Sequence, residues 1–291
     1  LRISASLIVK NESEHLRECL DSIKGVDEIV IVDTGSEDNT IEIAKGYTNL
    51  VYSGKDYTWR DDFAHSRNQS LDLCTGDWIL IIDADERLEP DGVIKLRNVI
   101  ESTNSTGLYF NTISESNKLT SHKSIRAFKN GSGRWAGRAH NYLIGPISTD
   151  TDISIYYGYS KAHFQDPNRT LRILKKACND DPNLARERYY LAREYWYRKD
   201  YHQAIENWKI YLEKSTFLSE KADAYLMIAR CAWMTNQGSL ARNMCLEAIR
   251  LNPDFKEALL FMSEIHYEPW KSKWKRIAES ATNQDVLFVR C

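Results

Sequence analysis

No stretch of this 291-residue sequence approaches the roughly 18 consecutive apolar residues of a membrane-spanning helix, and no charged-then-apolar leader opens it. The expectation is a chain without a membrane span that works in the cytoplasm. Cysteine is sparse: Cys19, Cys74, Cys178, Cys231, Cys245 and Cys291 are scattered with no Cys-x-x-Cys pair. That spacing suggests neither a zinc site nor a disulfide framework, and a reducing compartment fits it best. Charge of one sign is lacking as well. Lys and Arg number 39 against 41 Asp and Glu, a net charge of −2, so nothing draws the whole molecule to nucleic acid or membrane and any such binding needs a local patch. A Gly-rich phosphate loop, a Ser/His/Asp set and a Cys-based nucleophile are all missing.

What is present is a globular balance, 42% hydrophobic and 27% charged, in a chain long enough for two domains. Ser6-Leu7-Ile8-Val9 is a short apolar run, after which Asn11 and Glu14 stand in capping-box spacing before Leu16, Cys19, Leu20 and Ile23 at helical intervals. Glu28 to Asp33 repeats the pattern with a run apolar on both faces, then Thr34-Gly35-Ser36 and a helix beginning near Asp38. A third run, Trp78 to Ile82, ends in Asp83-Ala84-Asp85-Glu86. Buried strands alternating with helices predict an α/β fold with a mainly parallel sheet, and ligands bind such sheets at the carboxyl ends of the strands. The polar clusters after each run are therefore expected to converge. From Leu108 to about Ile155 short strands surround a glycine-rich loop, Gly131 to Gly137, the sheet's less regular half.

After Phe164 helical periodicity takes over, so the expected domains are residues 1–164 and 165–291. The second half repeats itself. Leu191-Ala192-Arg193 followed by Tyr201-x-x-Ala204 aligns with Ile228-Ala229-Arg230 followed by Gly238-x-x-Ala241, 37 residues on, and Phe261-Met262-Ser263 opens a third copy. Small residues at helix crossings and Asn252-Pro253 closing a hairpin resemble tetratricopeptide repeats over about Asp181 to Tyr267. Such arrays present a curved surface to a peptide or protein, or serve as a spacer or dimer contact, which leaves homo-oligomerisation open. The opening without Met and the closing run Val286 to Val289 are read as signs of a piece of a larger protein.

Asp83 and Asp85, one residue apart after a buried strand, are the strongest chemical clue, because two such carboxylates can engage a divalent cation whose remaining oxygens come from a diphosphate. Taken alone the triplet is more often a solvated turn. With Ser6-Leu-Ile-Val-Lys-Asn-Glu12, Ile29-Val-Ile-Val-Asp-Thr-Gly-Ser-Glu-Asp-Asn-Thr40, Phe63-Ala-His-Ser-Arg-Asn68 and Trp78-Ile-Leu-Ile-Ile-Asp-Ala-Asp-Glu86 in this order and spacing, the first 145 residues or so resemble the family 2 glycosyltransferases.

The resemblance implies a GT-A fold, a nucleotide-sugar donor, UDP-linked by preference, a Mn²⁺ or Mg²⁺ cofactor, and inversion at the anomeric carbon. Carried over residue by residue, Asn11, Glu12 and Asp33 line the nucleoside pocket, Arg67 faces the diphosphate, Asp83 with Ala84 lies on the ribose or phosphate side, and Asp85 holds the metal. An arginine fork suits phosphate oxygens; the plainer alternative is an ion pair of Arg67 with Asp61 or Asp62. Two residues are candidates for the base that takes the acceptor's proton: Glu86, and His140 in Trp135-Ala-Gly-Arg-Ala-His-Asn-Tyr142. His140 equally suits a further metal ligand or a structural role. Relatives commonly carry His-Glu here, and Asn141 replaces that Glu.

Arg126 and Arg138 are open to two readings, phosphate or acceptor binding and charge balance. Trp59 and Tyr57 suit stacking or core packing, and Lys271 to Arg276 around Trp274 suits a solvated face better than nucleic acid. The joined architecture resembles bacterial and phage family 2 transferases fused to tetratricopeptide helices, including those that glycosylate peptide cysteines. It implies a macromolecular acceptor, peptide or protein first, with a glycan, a lipid-linked sugar or a modified nucleic-acid base open. The competing readings are a peptide-binding scaffold with a decayed transferase domain, which Asn141 favours, and a nucleotidyltransferase, which would want a basic Gly-rich signature near the first strand.

Overall fold

The computed structural model describes residues 1–115, 121–158 and 166–282. Two compact units divide the chain, Leu1–Arg169 and Thr170–Cys291. The expected boundary at 164/165 and the run Val286 to Val289 lie outside the described residues.

In the first unit, β1 (Ile3–Val9), β2 (Glu28–Asp33), β3 (Val51–Tyr52) and β4 (Trp78–Ile81) run parallel in the order β3-β2-β1-β4. Their side chains are buried on both faces because helices cover them, which is why the sequence reads as unbroken apolar runs. The covering helices include α1 (Leu16–Ser22), α2 (Thr40–Lys45) and α3 (Phe63–Leu73). Beyond β4 the sheet becomes mixed. β7 (Ser121–Lys129) pairs antiparallel with β4 and with β6 (Gly107–Ser114); β10 (Ser148–Tyr157) pairs parallel with β6 and antiparallel with β5 (Glu86–Leu88). The result is one eight-stranded sheet, β3-β2-β1-β4-β7-β6-β10-β5, parallel in its first half as expected and mixed in its second. A hairpin, β8 (Arg134–Ala136) with β9 (Tyr142–Ile144), stands apart as a two-stranded sheet. Helix α4 (Gly92–Ser102) buries Val93, Leu96 and Ile100 at the spacing of one helical face.

Among the described residues the regular elements of the second unit are all helices: α5 (Arg169–Asp180), α6 (Ala185–Tyr197), α7 (Tyr201–Lys214), α8 (Leu218–Met234), α9 (Gly238–Leu251), α10 (Lys256–Glu264) and α11 (Trp270–Ser280). The repeated small residues are where the helices cross. Ala192, Ala204, Ala229 and Ala241 are fully buried, letting successive helices approach as in tetratricopeptide-like hairpins. Two apolar clusters hold the array, one around Trp208 and Tyr189, the next around Leu226 and Met262. On α11 only Trp274 and Ala278 turn inward, so the lysines around them form an exposed face. No described helix is long and apolar enough to cross a membrane.

Candidate active site

Register fixes the site. Val9 pairs with Asp33 and Ser6 with Ile81, so the loops after β1, β2 and β4 leave the sheet along one edge. Three parallel strands ending together, with the chain turning from β2 on one side of β1 to β4 on the other, form the crevice in which open α/β sheets hold their ligands.

The first two loops are sewn together by side chains. Asn11 takes a left-handed backbone (φ 56°), its Oδ1 accepts from the Glu37 amide at 2.8 Å, and its own amide donates to Ser36 Oγ at 2.9 Å. The side chain thus bridges to the neighbouring loop, and α1 begins at Leu16 with no side-chain hydrogen bond from its N-cap His15. The Glu12 amide donates to Thr40 Oγ1 at 2.8 Å. Asp33 is 2% exposed; its Oδ1 accepts from the Gly35 and Ser36 amides, both at 3.0 Å, while Oδ2 is buried with no hydrogen-bond partner among the described residues. Gly35 sits at φ 112°, a conformation that a side chain strains, and so permits this turn.

Helix α3 delivers Arg67. Asp62 caps it, accepting from the His65 amide at 2.9 Å. Arg67 Nη2 donates to Asp83 Oδ1 at 2.7 Å, with side chains 13% and 33% exposed, while Nε is buried and has no partner among the described residues. The ion partner is thus Asp83 rather than Asp61 or Asp62. Asp61 accepts from Trp59 Nε1 at 2.8 Å, and Trp59 packs edge-on against Phe63, so that indole serves the loop's own packing.

Past β4 the chain turns at Ala84 and Asp85, the Glu86 amide donating to the Asp83 carbonyl at 3.0 Å, before β5 begins, and burial alternates along the segment. Ile82, Ala84, Glu86 and Leu88 are buried; Asp83, Asp85 and Arg87 are partly exposed. This alternation revises two expectations. Ala84 belongs to the apolar core, so only its backbone can face a ligand. Glu86 is 4% exposed with both oxygens engaged: Oε1 and Oε2 accept from Arg126 at 2.6 and 2.8 Å, and Oε2 also accepts from the Asp83 amide at 2.9 Å. Burial pushes its carboxyl up to about 7 against the pull of Arg126. Arg126, left open by sequence, balances this acid; Arg138 lies 3.6 Å from Asp62.

The acids do converge. The buried Cys19 thiol, whose Sγ donates to the Asp83 carbonyl at 3.3 Å, is raised first by burial and then by the negative charges of Glu86, Asp83, Asp85 and Glu12. Among the described residues no three His, Cys, Asp or Glu side chains form a ready-made metal cage. One or two carboxylates do suit a cation that keeps waters and takes its other oxygens from phosphate. His140 is exposed in the turn joining β8 to β9.

Sequence reasoning missed Trp135 and Asn68. The Trp135 ring lies under the Arg67 guanidinium, 4.9 Å to the centroid, and Asn68 holds the Trp135 backbone. The adjacency of Arg67 and Asn68 was visible in the sequence; their common partner 67 residues beyond Asn68 was not.

Comparison with known proteins agrees with this layout. Residues 4–172 match the sequence profile of glycosyl transferase family 2. The SPbeta prophage-derived glycosyltransferase SunS of Bacillus subtilis is 26% identical over 228 residues, 73% of this chain and 53% of that protein. A TPR repeat-containing protein of Synechococcus elongatus is 41% identical over 102 residues, 34% of this chain and 24% of its own length. The chain thus spans about half or less of the curated relatives it matches. The structure of S. aureus TarS 1-349 in complex with UDP-GlcNAc aligns over 86% of this chain and 91% of its own, with a TM-score of 0.52 and 13% identity, a likeness of fold. With its profile covering more than half of the residues, on a GT-A sheet followed by a helical region, the chain belongs to glycosyl transferase family 2.

Proposed function

We propose that this chain transfers a sugar, with inversion, from a UDP-sugar to a macromolecular acceptor, with Mn²⁺ or Mg²⁺ accompanying the donor. The observation that carries the reading is a pair of buried, unsatisfied polar atoms of opposite character at the sheet edge, the acceptor Asp33 Oδ2 and the donor Arg67 Nε. Leaving each unmade costs about 1–3 kcal/mol, and a nucleoside diphosphate supplies both complements: an N–H or hydroxyl for the carboxylate and anionic oxygens for the guanidinium.

In this reading Asn11 and Glu12 shape the nucleoside pocket beside Asp33. Arg67 takes the diphosphate, and Asp85, partly exposed like Asp83, holds the cation. When bound, the cation acts as a Lewis acid that offsets the charge growing on the departing diphosphate. Glu86 positions the loop through the Asp83 amide and is too enclosed to meet an acceptor, which a base must reach within hydrogen-bond distance. His140, exposed on a hairpin fixed to α3, is the better candidate for the base. The helical hairpins would present a peptide or protein acceptor. Five cysteines are free thiols, which suits a reducing compartment.

The test is donor turnover: full-length protein with UDP-, GDP- and TDP-sugars and Mn²⁺ or Mg²⁺, assayed for released nucleoside diphosphate. UDP-sugar hydrolysis that Asp85→Ala abolishes is the expected result. Silence across the panel together with no UDP binding by calorimetry would sink the transferase reading; full activity of Asp85→Ala would remove the metal assignment alone.

A further inference from the structure

The family resemblance implies that Arg67 faces the diphosphate, yet a long flexible side chain at a rim needs something to fix its direction. Asp83 fixes one edge of the guanidinium, Nη2 to Oδ1 at 2.7 Å. Its flat face rests on Trp135, with the guanidinium carbon 4.9 Å from the ring centroid. Trp135 is itself held by the next residue of α3. Asn68 Oδ1 accepts from the Trp135 amide and Asn68 Nδ2 donates to the Trp135 carbonyl, both at 3.0 Å, so one side-chain amide replaces a neighbouring strand. A second tie, the Phe63 amide donating to the Arg138 carbonyl at 2.9 Å, fastens the turn after the same hairpin strand to the start of α3. The indole also packs on the cluster of Leu71, Ile81 and Phe128, which keeps the ring from swinging away.

These contacts form a closed loop: α3 holds the hairpin backbone through Asn68, the hairpin supplies the ring, and the ring returns to α3 by carrying Arg67. We propose that Trp135 is a positioning residue for the donor's diphosphate, its indole face holding the Arg67 guanidinium in place so that phosphate oxygens meet a preset fork. This rests on the proposed function, since it needs a diphosphate at Arg67. The indole offers the strongest of the aromatic faces to a cation, and stacking leaves the guanidinium's in-plane N–H groups available for bonds along its edges. A group that works this way affects the diphosphate and not the nucleoside.

The experiment is calorimetry on the full chain with UDP and with uridine as probes, comparing wild type, Trp135→Leu and Trp135→Phe, with melting temperatures alongside. Leu keeps the apolar contact and removes the ring; Phe keeps a weaker ring. Expected are a loss of UDP affinity of roughly five- to thirty-fold for Trp135→Leu, unchanged uridine affinity, and a loss within about threefold for Trp135→Phe. Arg67→Lys should then cost less in the Trp135→Leu background than alone. Equal losses for UDP and uridine, equal losses for Leu and Phe, or additive effects of Trp135 and Arg67 substitutions would each overturn the assignment. If the Leu variant does not fold, the Trp135→Phe and Arg67→Lys cycle decides, additivity again being the overturning result. A wild type that binds no UDP defeats the proposed function itself; one that binds it with Trp135 indifferent defeats only this inference.

Discussion

Replacing Arg126 by Met should destabilise the first unit in a pH-dependent way. Arg126 makes a two-pronged pair with Glu86 at 2.6 and 2.8 Å, and Glu86 is 4% exposed, so the substitution strands a carboxylate that water cannot reach. Breaking such a buried pair costs about 3–5 kcal/mol. Already in the wild type, burial raises the Glu86 carboxyl from 4.5 to about 7. The folded state therefore keeps a proton that the unfolded chain releases over that interval, and each pH unit of the interval removes about 1.4 kcal/mol of stability, ~3 kcal/mol by neutral pH. Without Arg126, the main influence holding the value down, the carboxyl rises further and the loss continues above pH 7. Urea unfolding in EDTA, followed by tryptophan fluorescence, should show the variant about 3–5 kcal/mol below wild type at pH 8 and within about 1–2 kcal/mol at pH 5, where Glu86 is protonated in both. Adding Glu86→Gln to the variant should recover most of the deficit at pH 8. A deficit of the same size at both pH values would refute the reasoning, since it would trace to packing rather than to a stranded charge.

In the second unit, Tyr189 donates to the buried Asp223 carboxylate, so Tyr189→Phe should lower its stability by about 1.5–3 kcal/mol while leaving UDP affinity unchanged; a melting curve overlaying wild type would contradict this. Burial pushes Cys74, Cys231 and Cys245 up to about 12 and Cys178 to about 11, and the thiolate is the nucleophile, so iodoacetamide at pH 7.5 should leave them and Cys19 unlabelled in folded protein and label all five in guanidinium. Rapid labelling of any of the five in the native state, read by mass spectrometry, would count against the described packing. Under the proposed function, UDP and Mn²⁺ should bind cooperatively, each raising the other's affinity by about tenfold, a coupling of ~1.4 kcal/mol; independent binding by calorimetry would refute it.

The parallel half of the sheet was legible because two-sided burial writes itself as apolar runs, as in Ile29-Val-Ile-Val32. Strand β5 was not, since Glu86 and Arg87 disguise a three-residue strand whose buried side chains are Glu86 and Leu88, and it follows a turn at Ala84 and Asp85. The β8–β9 hairpin hid behind a glycine-rich stretch, and with it Trp135. Asn11 shows what a local pattern leaves out: its spacing to Glu14 satisfies a capping rule, but its side-chain oxygen accepts from the Glu37 amide 26 residues away, a tertiary contact that periodicity does not encode. That Glu12, Asp83, Asp85 and Glu86 gather near one another was readable from motif order, and the pairings of the charged groups were not. The partners Asp83 for Arg67 and Arg126 for Glu86 lie 16 and 40 residues off and were chosen by the sheet's register.

Those pairings explain how so much charge can share one rim. Arg67 offsets Asp83 and Arg126 offsets Glu86, so under the proposed function the charge that takes the diphosphate is balanced by a neighbouring acid. Under that function, a diphosphate arriving alone would bring negative charge beside Asp83 and Asp85, and a cation arriving alone would bring positive charge beside Arg67. Arriving together, the two would offset each other's charge, phosphate beside Arg67, whose bond to Asp83 is kept, and metal beside the acids. Cooperative binding of donor and cation would then follow from charge balance alone, with no conformational change required.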